Sequence, residues 1–118
     1  LVCTFIVTTL WATAAYAASA TVTLYPDQFS THSAAVGLYK TGLAFARADS
    51  MNLLSVYCTL EYAEPGKGWA KKYEKLMPPG GSAYSGTYSV SVAGSWRCGL
   101  NVWSIFRGCY AWGAVQAP

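Results

Sequence analysis

The stretch Ser55–Tyr62, SVYCTLEY, alternates without a break: Val56, Cys58, Leu60 and Tyr62 fall on one side and Ser55, Tyr57, Thr59 and Glu61 on the other. A period of two over eight residues is the signature of a half-buried strand, and it constrains the fold more than any other feature of the chain. Thr21–Tyr25 (TVTLY) alternates as well. Thr87–Ala93 (TYSVSVA) places Tyr88, Val90 and Val92 opposite serines. Ala34–Ala48 reads as two short strands turning near Lys40-Thr41-Gly42, and its alanines leave a helix open for Leu43–Leu54. These signals predict an all-β domain, a small sandwich or barrel of about six to eight strands.

One segment departs from that pattern. Between Pro65-Gly66 and Pro78-Pro79-Gly80-Gly81, the residues Trp69, Tyr73, Leu76 and Met77 fall at i, i+4, i+7 and i+8. This spacing predicts one short helix near 69–77, bounded by glycine and proline. Gly80–Gly86 reads as loop.

The first charged residue is Asp27. The apolar run that opens the sequence leads to two small-x-small sites, Ala15-Tyr16-Ala17 and Ala18-Ser19-Ala20, the arrangement of a secretory signal peptide. Residues 1–20 are therefore expected to be a leader cleaved after Ala17 or Ala20. Residues 21–118 are then a single secreted β-rich domain. A retained anchor is the weaker reading, because alanine and threonine dilute the run.

An exported chain permits disulfides. The mature part holds Cys58, Cys98 and Cys109, an odd count, so one bridge leaves one free or intermolecular thiol. Arg107-Gly108 lies between two apolar runs and reads as the tight turn of a hairpin, glycine taking the second central position. That register sets Trp103 across from Trp112. Trp96, Cys98, Leu100, Val102, Phe106 and Cys109 then share one face, and Trp103, Ile105, Tyr110 and Trp112 the other. It also holds Cys98 roughly 26 Å from Cys109 along the ribbon, whereas a bridge needs Cα atoms within about 7 Å. Cys58 must then pair with one of them. Cys58–Cys98 is preferred, closing a loop of about 40 residues and stabilising the fold by roughly 3–4 kcal/mol. Cys109 remains as a buried thiol or as the link of a disulfide-bonded dimer. The series Cys58, Trp69, then Gly94-Ser95-Trp96-Arg97-Cys98 resembles the Cys…Trp…Tyr-x-Cys pattern of immunoglobulin domains over some of its length, with Trp96 in the place of the tyrosine. The resemblance implies a sandwich with a bridge between its sheets.

Two surfaces could carry function. Trp103, Ile105, Tyr110 and Trp112 are either covered by the 69–77 helix or form an aromatic platform for a cell-surface glycan or protein. Trp69, Lys71, Lys72, Tyr73 and Lys75 are either the solvated side of that helix or a contact for an anionic membrane or wall polymer. With eight Lys or Arg against five Asp or Glu, the net charge of +3 is too mild for a nucleic-acid binder. The single histidine, His32, sits near Asp27 and Ser33, and a hydrolase built on it is the third reading, behind a non-enzymatic binding protein and a small cationic membrane-active toxin of the bacteriocin kind. One histidine and dispersed cysteines give no metal site, and no cofactor motif is present, so none is expected.

Overall fold

The computed structural model describes residues 18–117, and all of its regular structure is β. The strands are β1 (Ala18–Leu24), β2 (Ser30–His32), β3 (Val36–Ala48), β4 (Val56–Ala63), β5 (Ala70–Met77), β6 (Ser82–Tyr84), β7 (Tyr88–Val102) and β8 (Ala111–Ala117). Every pairing is antiparallel, and the hydrogen-bonded order is β1-β8-β3-β7-β4-β5, with β2 also on β7 and β6 also on β3.

The path folds over on itself because β3 serves two layers. Its first half, Val36–Gly42, pairs with β7, and its second half, Leu43–Ala48, pairs with β8. Register shifts lie between Val36 and Tyr39 and between Tyr39 and Thr41, so the turn expected near Lys40-Thr41-Gly42 is a bend within one strand. Bulges and bends are how a strand passes from one sheet of a sandwich to the other. One layer is β5, β4, β7 and β2 with the first half of β3. The other is β1, β8 and β6 with the second half.

The two inner faces have complementary sizes. The first layer contributes Val56, Leu60, Tyr62, Met77, Trp96 and Leu100, all buried. The second offers mainly small side chains, Ala44, Ala46, Ala48, Ala111 and Ala117 around Leu24 and Val115. At Gly113 a β-carbon would stand 3.0 Å from Cys98 Sγ of the opposite layer and 3.0 Å from the Phe45 carbonyl oxygen. Trp96 lies across Gly42, donates its indole N–H to the Tyr39 carbonyl at 2.9 Å, and packs against Tyr62 with ring centres 4.9 Å apart and planes tilted by 50°. A buried tryptophan needs such an acceptor for its one polar atom. The alanines that left a helix open for Leu43–Leu54 are thus the small side of a strand interface.

Four expectations are corrected. Residues 70–77 form β5, paired with β4 from Val56↔Met77 to Tyr62↔Ala70, and not a helix. The spacing misled because four residues is close to one helical turn and is also two strand periods, so Tyr73 and Met77 share a face in both conformations. Gly80–Gly86 contains β6, which pairs with β3. The chain does not double back at Arg107-Gly108: β7 ends at Val102, and β8 pairs with β1 and β3 instead. Residues 103–110 cross from one layer to the other, so Trp103 does not face Trp112. Finally, Cys58 and Cys98 lie on neighbouring strands of one layer, which rules out a bridge between sheets of the immunoglobulin kind. The signal-peptide reading of residues 1–17 lies outside the described residues. Cleavage after Ala17 would leave β1 whole, and cleavage after Ala20 would remove three residues paired with Val115–Ala117.

Candidate functional site

Three connections meet at one end of the sandwich: the segment after β1, the segment from β3 to β4, and the crossing from β7 to β8. They are tied together through the backbone. Val102 N–H donates to Phe29 O at 2.8 Å, Trp103 N–H to Ser55 O at 2.9 Å, and Asp49 N–H to Tyr110 O at 2.9 Å. Asn52 is the clamp. Its side chain is buried, its Nδ2 donates to Tyr110 O at 2.9 Å, and its Oδ1 accepts from Tyr110 N–H at 2.8 Å. A side-chain amide thus serves the Tyr110 peptide in the way a neighbouring strand would.

Outside this tied frame stand large apolar side chains. Leu53 is 94% exposed, Ile105 83% and Met51 82%, with Trp103 and Phe106 also exposed. Phe106 was expected on the buried face, and the overturned hairpin register accounts for the error. Arg107 stacks on Phe29 at 4.5 Å.

Beside the apolar tips, on the outer side of the second layer, is an open cleft of about 290 Å³ lined by Arg47, Asp49, Ser50, Gly80, Tyr110 and Trp112. Its two aromatic rings are braced edge-to-face. Trp112 meets Phe45 at 5.9 Å and 89°, and Tyr110 meets Tyr25 at 5.9 Å and 79°. Arg47 and Trp112 are directly opposite across β3 and β8. The four residues of the expected platform are therefore divided: Tyr110 and Trp112 stand at the cleft, Trp103 and Ile105 on the crossing loop, and no helix covers either pair. Sequence reasoning missed Arg47, Asn52, Leu53 and Met51. The turn-prone Asp49-Ser50 before them and the start of the alternating run at Ser55 were the available signals that 49–54 is a connection.

The second expected surface is dispersed. A register shift between Leu60 and Glu61 breaks the ladder of β4 and β5. Lys71 pairs with Glu74, Lys72 lies 5.6 Å over the Tyr62 ring, and Arg97 stacks on Trp69 at 4.2 Å while also bonding Glu61 at 2.8 Å. Tyr73 is partly buried against Tyr88, and Lys75 lies opposite Cys58 near the sheet edge. Lys71, Lys72, Tyr73 and Lys75 lie on β5, with Trp69 just before it, and of these lysines Lys71 and Lys72 have side-chain partners.

Among the described residues, Cys58, Cys98 and Cys109 are free and buried. Cys58 is opposite Leu100, and Leu60 is opposite Cys98, so the two cysteines are diagonal neighbours. Their thiols share a hydrogen bond: it raises the pKa of Cys98, which burial raises further, and lowers that of Cys58. Cys109 Sγ lies 3.5 Å from Leu54 O, and a dimer link through it would require the crossing loop to open. His32, on β2, has Nδ1 3.1 Å from Ser33 O. Ser33 Oγ is taken up by Cys98 N–H and by Ala34 O, so His32 and Ser33 are not arranged as a relay. No group of three potential metal ligands occurs among the described residues.

No protein-family model and no curated protein matches the sequence. Among solved structures, the crystal structure of a Yersinia pseudotuberculosis-derived mitogen is similar in fold, with a TM-score of 0.51 and 14% identity, covering 85% of this chain and 83% of that chain.

Proposed function

We propose that this chain is an exported, non-enzymatic binding protein that presents the loop end of its β-sandwich to a protein on a cell surface. The observation that carries the reading is the gathering of Met51, Leu53, Trp103, Ile105 and Phe106, all exposed, on two connections held in place by Asn52 and backbone hydrogen bonds. Leucine and isoleucine exposed to this degree on a rigid frame cost solubility, and a docking partner would repay that by burying them. Aromatic and aliphatic anchors on a preorganised base are what an interface centre requires. The fold of a protein described as a mitogen is compatible with a scaffold of this kind. In the exported state we expect Cys58 and Cys98 to be joined, since their strands already hold them side by side.

A bilayer is the second reading, because aliphatic loop tips can also enter lipid. Charge favours the protein partner. Lys67 and Lys71, which would draw an anionic membrane, belong to the end of β5 away from the tips, and each is paired with a glutamate. The charges on the tips and in the adjoining cleft are mixed, Asp27 and Asp49 with Arg47 and Arg107, and form no cationic patch.

The test compares labelled wild-type protein with the double variant Leu53→Asp/Ile105→Asp on whole cells and on protein-free vesicles. Saturable binding to cells that protease treatment abolishes, absent in the variant and absent on vesicles, supports the reading. Leakage or binding on protein-free vesicles would transfer the surface to lipid. Equal cell binding by a folded variant would overturn the loop end as the site.

A further inference from the structure

The cleft beside the loop end has a chemistry of its own. Trp112 and Tyr110 stand there as braced aromatic rings, and a flat ring with an exposed face is what the C–H side of a sugar packs against. Trp112 is 43% exposed. Directly opposite it is Arg47, exposed and forming no ion pair with a described carboxylate. Asp49, also in the cleft, is turned to its own loop, its Oδ1 accepting from Met51 N–H at 3.1 Å. The far wall is fixed as well: Gly80 N–H donates to Asp49 O at 3.2 Å, and Ala48 N–H to Gly81 O at 2.9 Å. The cleft therefore combines a stacking surface, an uncommitted guanidinium and the hydroxyls of Ser50 and Tyr110, in a volume of about 290 Å³.

We propose that this cleft binds the pyranose ring of an acidic glycan, the ring packed on Trp112 and the sugar carboxylate held by Arg47. Guanidinium groups pair with carboxylates through two parallel hydrogen bonds, so an acidic sugar is distinguished from its neutral counterpart by one residue. Hydroxyls of the ring meet Ser50 and Asp49, which line the cleft beside Gly80. The small positive net charge of the chain draws polyanionic glycans in the same direction. This site does not depend on the loop-end reading, because none of the aliphatic tips lines it.

The probes are methyl β-D-glucuronide, methyl β-D-glucoside and acetate, titrated into the folded chain and followed by tryptophan fluorescence and by NMR shifts of backbone and indole N–H groups. The glucuronide is expected to bind saturably with a dissociation constant of roughly 1 mM, moving the Trp112 indole and the amides around Gly80. The glucoside is expected to bind about tenfold more weakly, which is what one lost charge-assisted contact removes. Arg47→Lys should remove most of that preference while leaving the weaker stacking intact. Trp112→Leu should abolish both responses with its melting temperature retained. Leu53→Asp/Ile105→Asp should leave the titration unchanged, so failure here is distinct from failure of the loop-end reading. Equal affinity for glucuronide and glucoside, acetate binding as well as glucuronide, or shifts that avoid Trp112 would each overturn the proposal.

Discussion

At the scale of single residues, the loop end depends on Asn52. Both polar groups of the Tyr110 peptide rest on one buried amide. Replacing Asn52 with alanine leaves the Tyr110 N–H without a partner and its carbonyl with Asp49 N–H alone, and the expected loss is about 1–3 kcal/mol, seen as a lower urea midpoint at unchanged slope. The same change should broaden the NMR signals of residues 103–110 while those of β4 stay sharp. The cysteines give a second prediction at this scale. Thiol counting and peptide mapping of exported protein should find Cys58 joined to Cys98 and Cys109 reactive only after unfolding. A Cys98–Cys109 bond would contradict the placement of Cys98 beside Cys58 and of Cys109 against Leu54 O. With that bridge formed, Cys109 is the thiol left to titrate among the described residues. Burial raises its pKa above the ordinary value of 9.0. The folded protein therefore keeps a proton that the unfolded chain gives up. The sign follows: the contribution is intact below about pH 9 and is lost as pH rises beyond it. Urea midpoints measured from about pH 8 to about pH 10 should fall, and should fall less steeply in Cys109→Ala.

The strand elements differ in how plainly they were written. β4 and the start of β7 are legible because polar and apolar residues alternate, and SVYCTLEY allows no other periodic reading. β5 is not, since its anchors Tyr73 and Met77 are four apart and suit two conformations equally. What separates those conformations is Leu76. A helix puts Leu76 and Met77 on one apolar face. The strand puts Met77 in the core, fully buried, and leaves Leu76 37% exposed on the other side. Met77→Ala should then cost about 2–5 kcal/mol, and Leu76→Ala well under about 1 kcal/mol. Comparable losses at the two positions would restore the helix. The Arg107-Gly108 signal failed for a different reason. A turn-forming pair marks where a chain can reverse, and it carries no information on whether the next strand returns beside its predecessor or crosses to the opposite layer. Tyr110 and Trp112 were still picked out, because their outward alternation survives the change of partner. Arg47 was hidden within an alanine-rich strand whose two sides look alike in sequence, and Leu53 fell in the stretch left open to a helix, Leu43–Leu54, which is a strand followed by a connection.

For the molecule as a whole, the controlling feature is the size difference between layers. Trp96, Leu60, Leu100 and Met77 need depth, and the alanines of β3 and β8 provide it by holding the opposite backbone close. At Gly113 the second layer comes close to the first, facing Cys98 across the core. A larger residue there presses on a sulfur, on the Phe45 carbonyl and on Ala46 Cβ at 3.1 Å, with backbone among the obstacles. Gly113→Val should destabilise the fold by about 1–3 kcal/mol, the range for overpacking. If the strain is exerted between the layers, shrinking the partner should relieve it. Cys98→Ala alone removes a buried sulfur and is itself destabilising. Combined with Gly113→Val, it should cost less than the two separate losses added together, with a coupling of about 0.5–3 kcal/mol in a double-mutant cycle. The cycle is best run on reduced protein, so that the disulfide does not enter the comparison. Strict additivity would mean that β7 and β8 do not face each other at these positions. The crossing of residues 103–110 between layers would then be wrong as well, and with it the placement of Trp103 and Ile105 beside Leu53 at a common end.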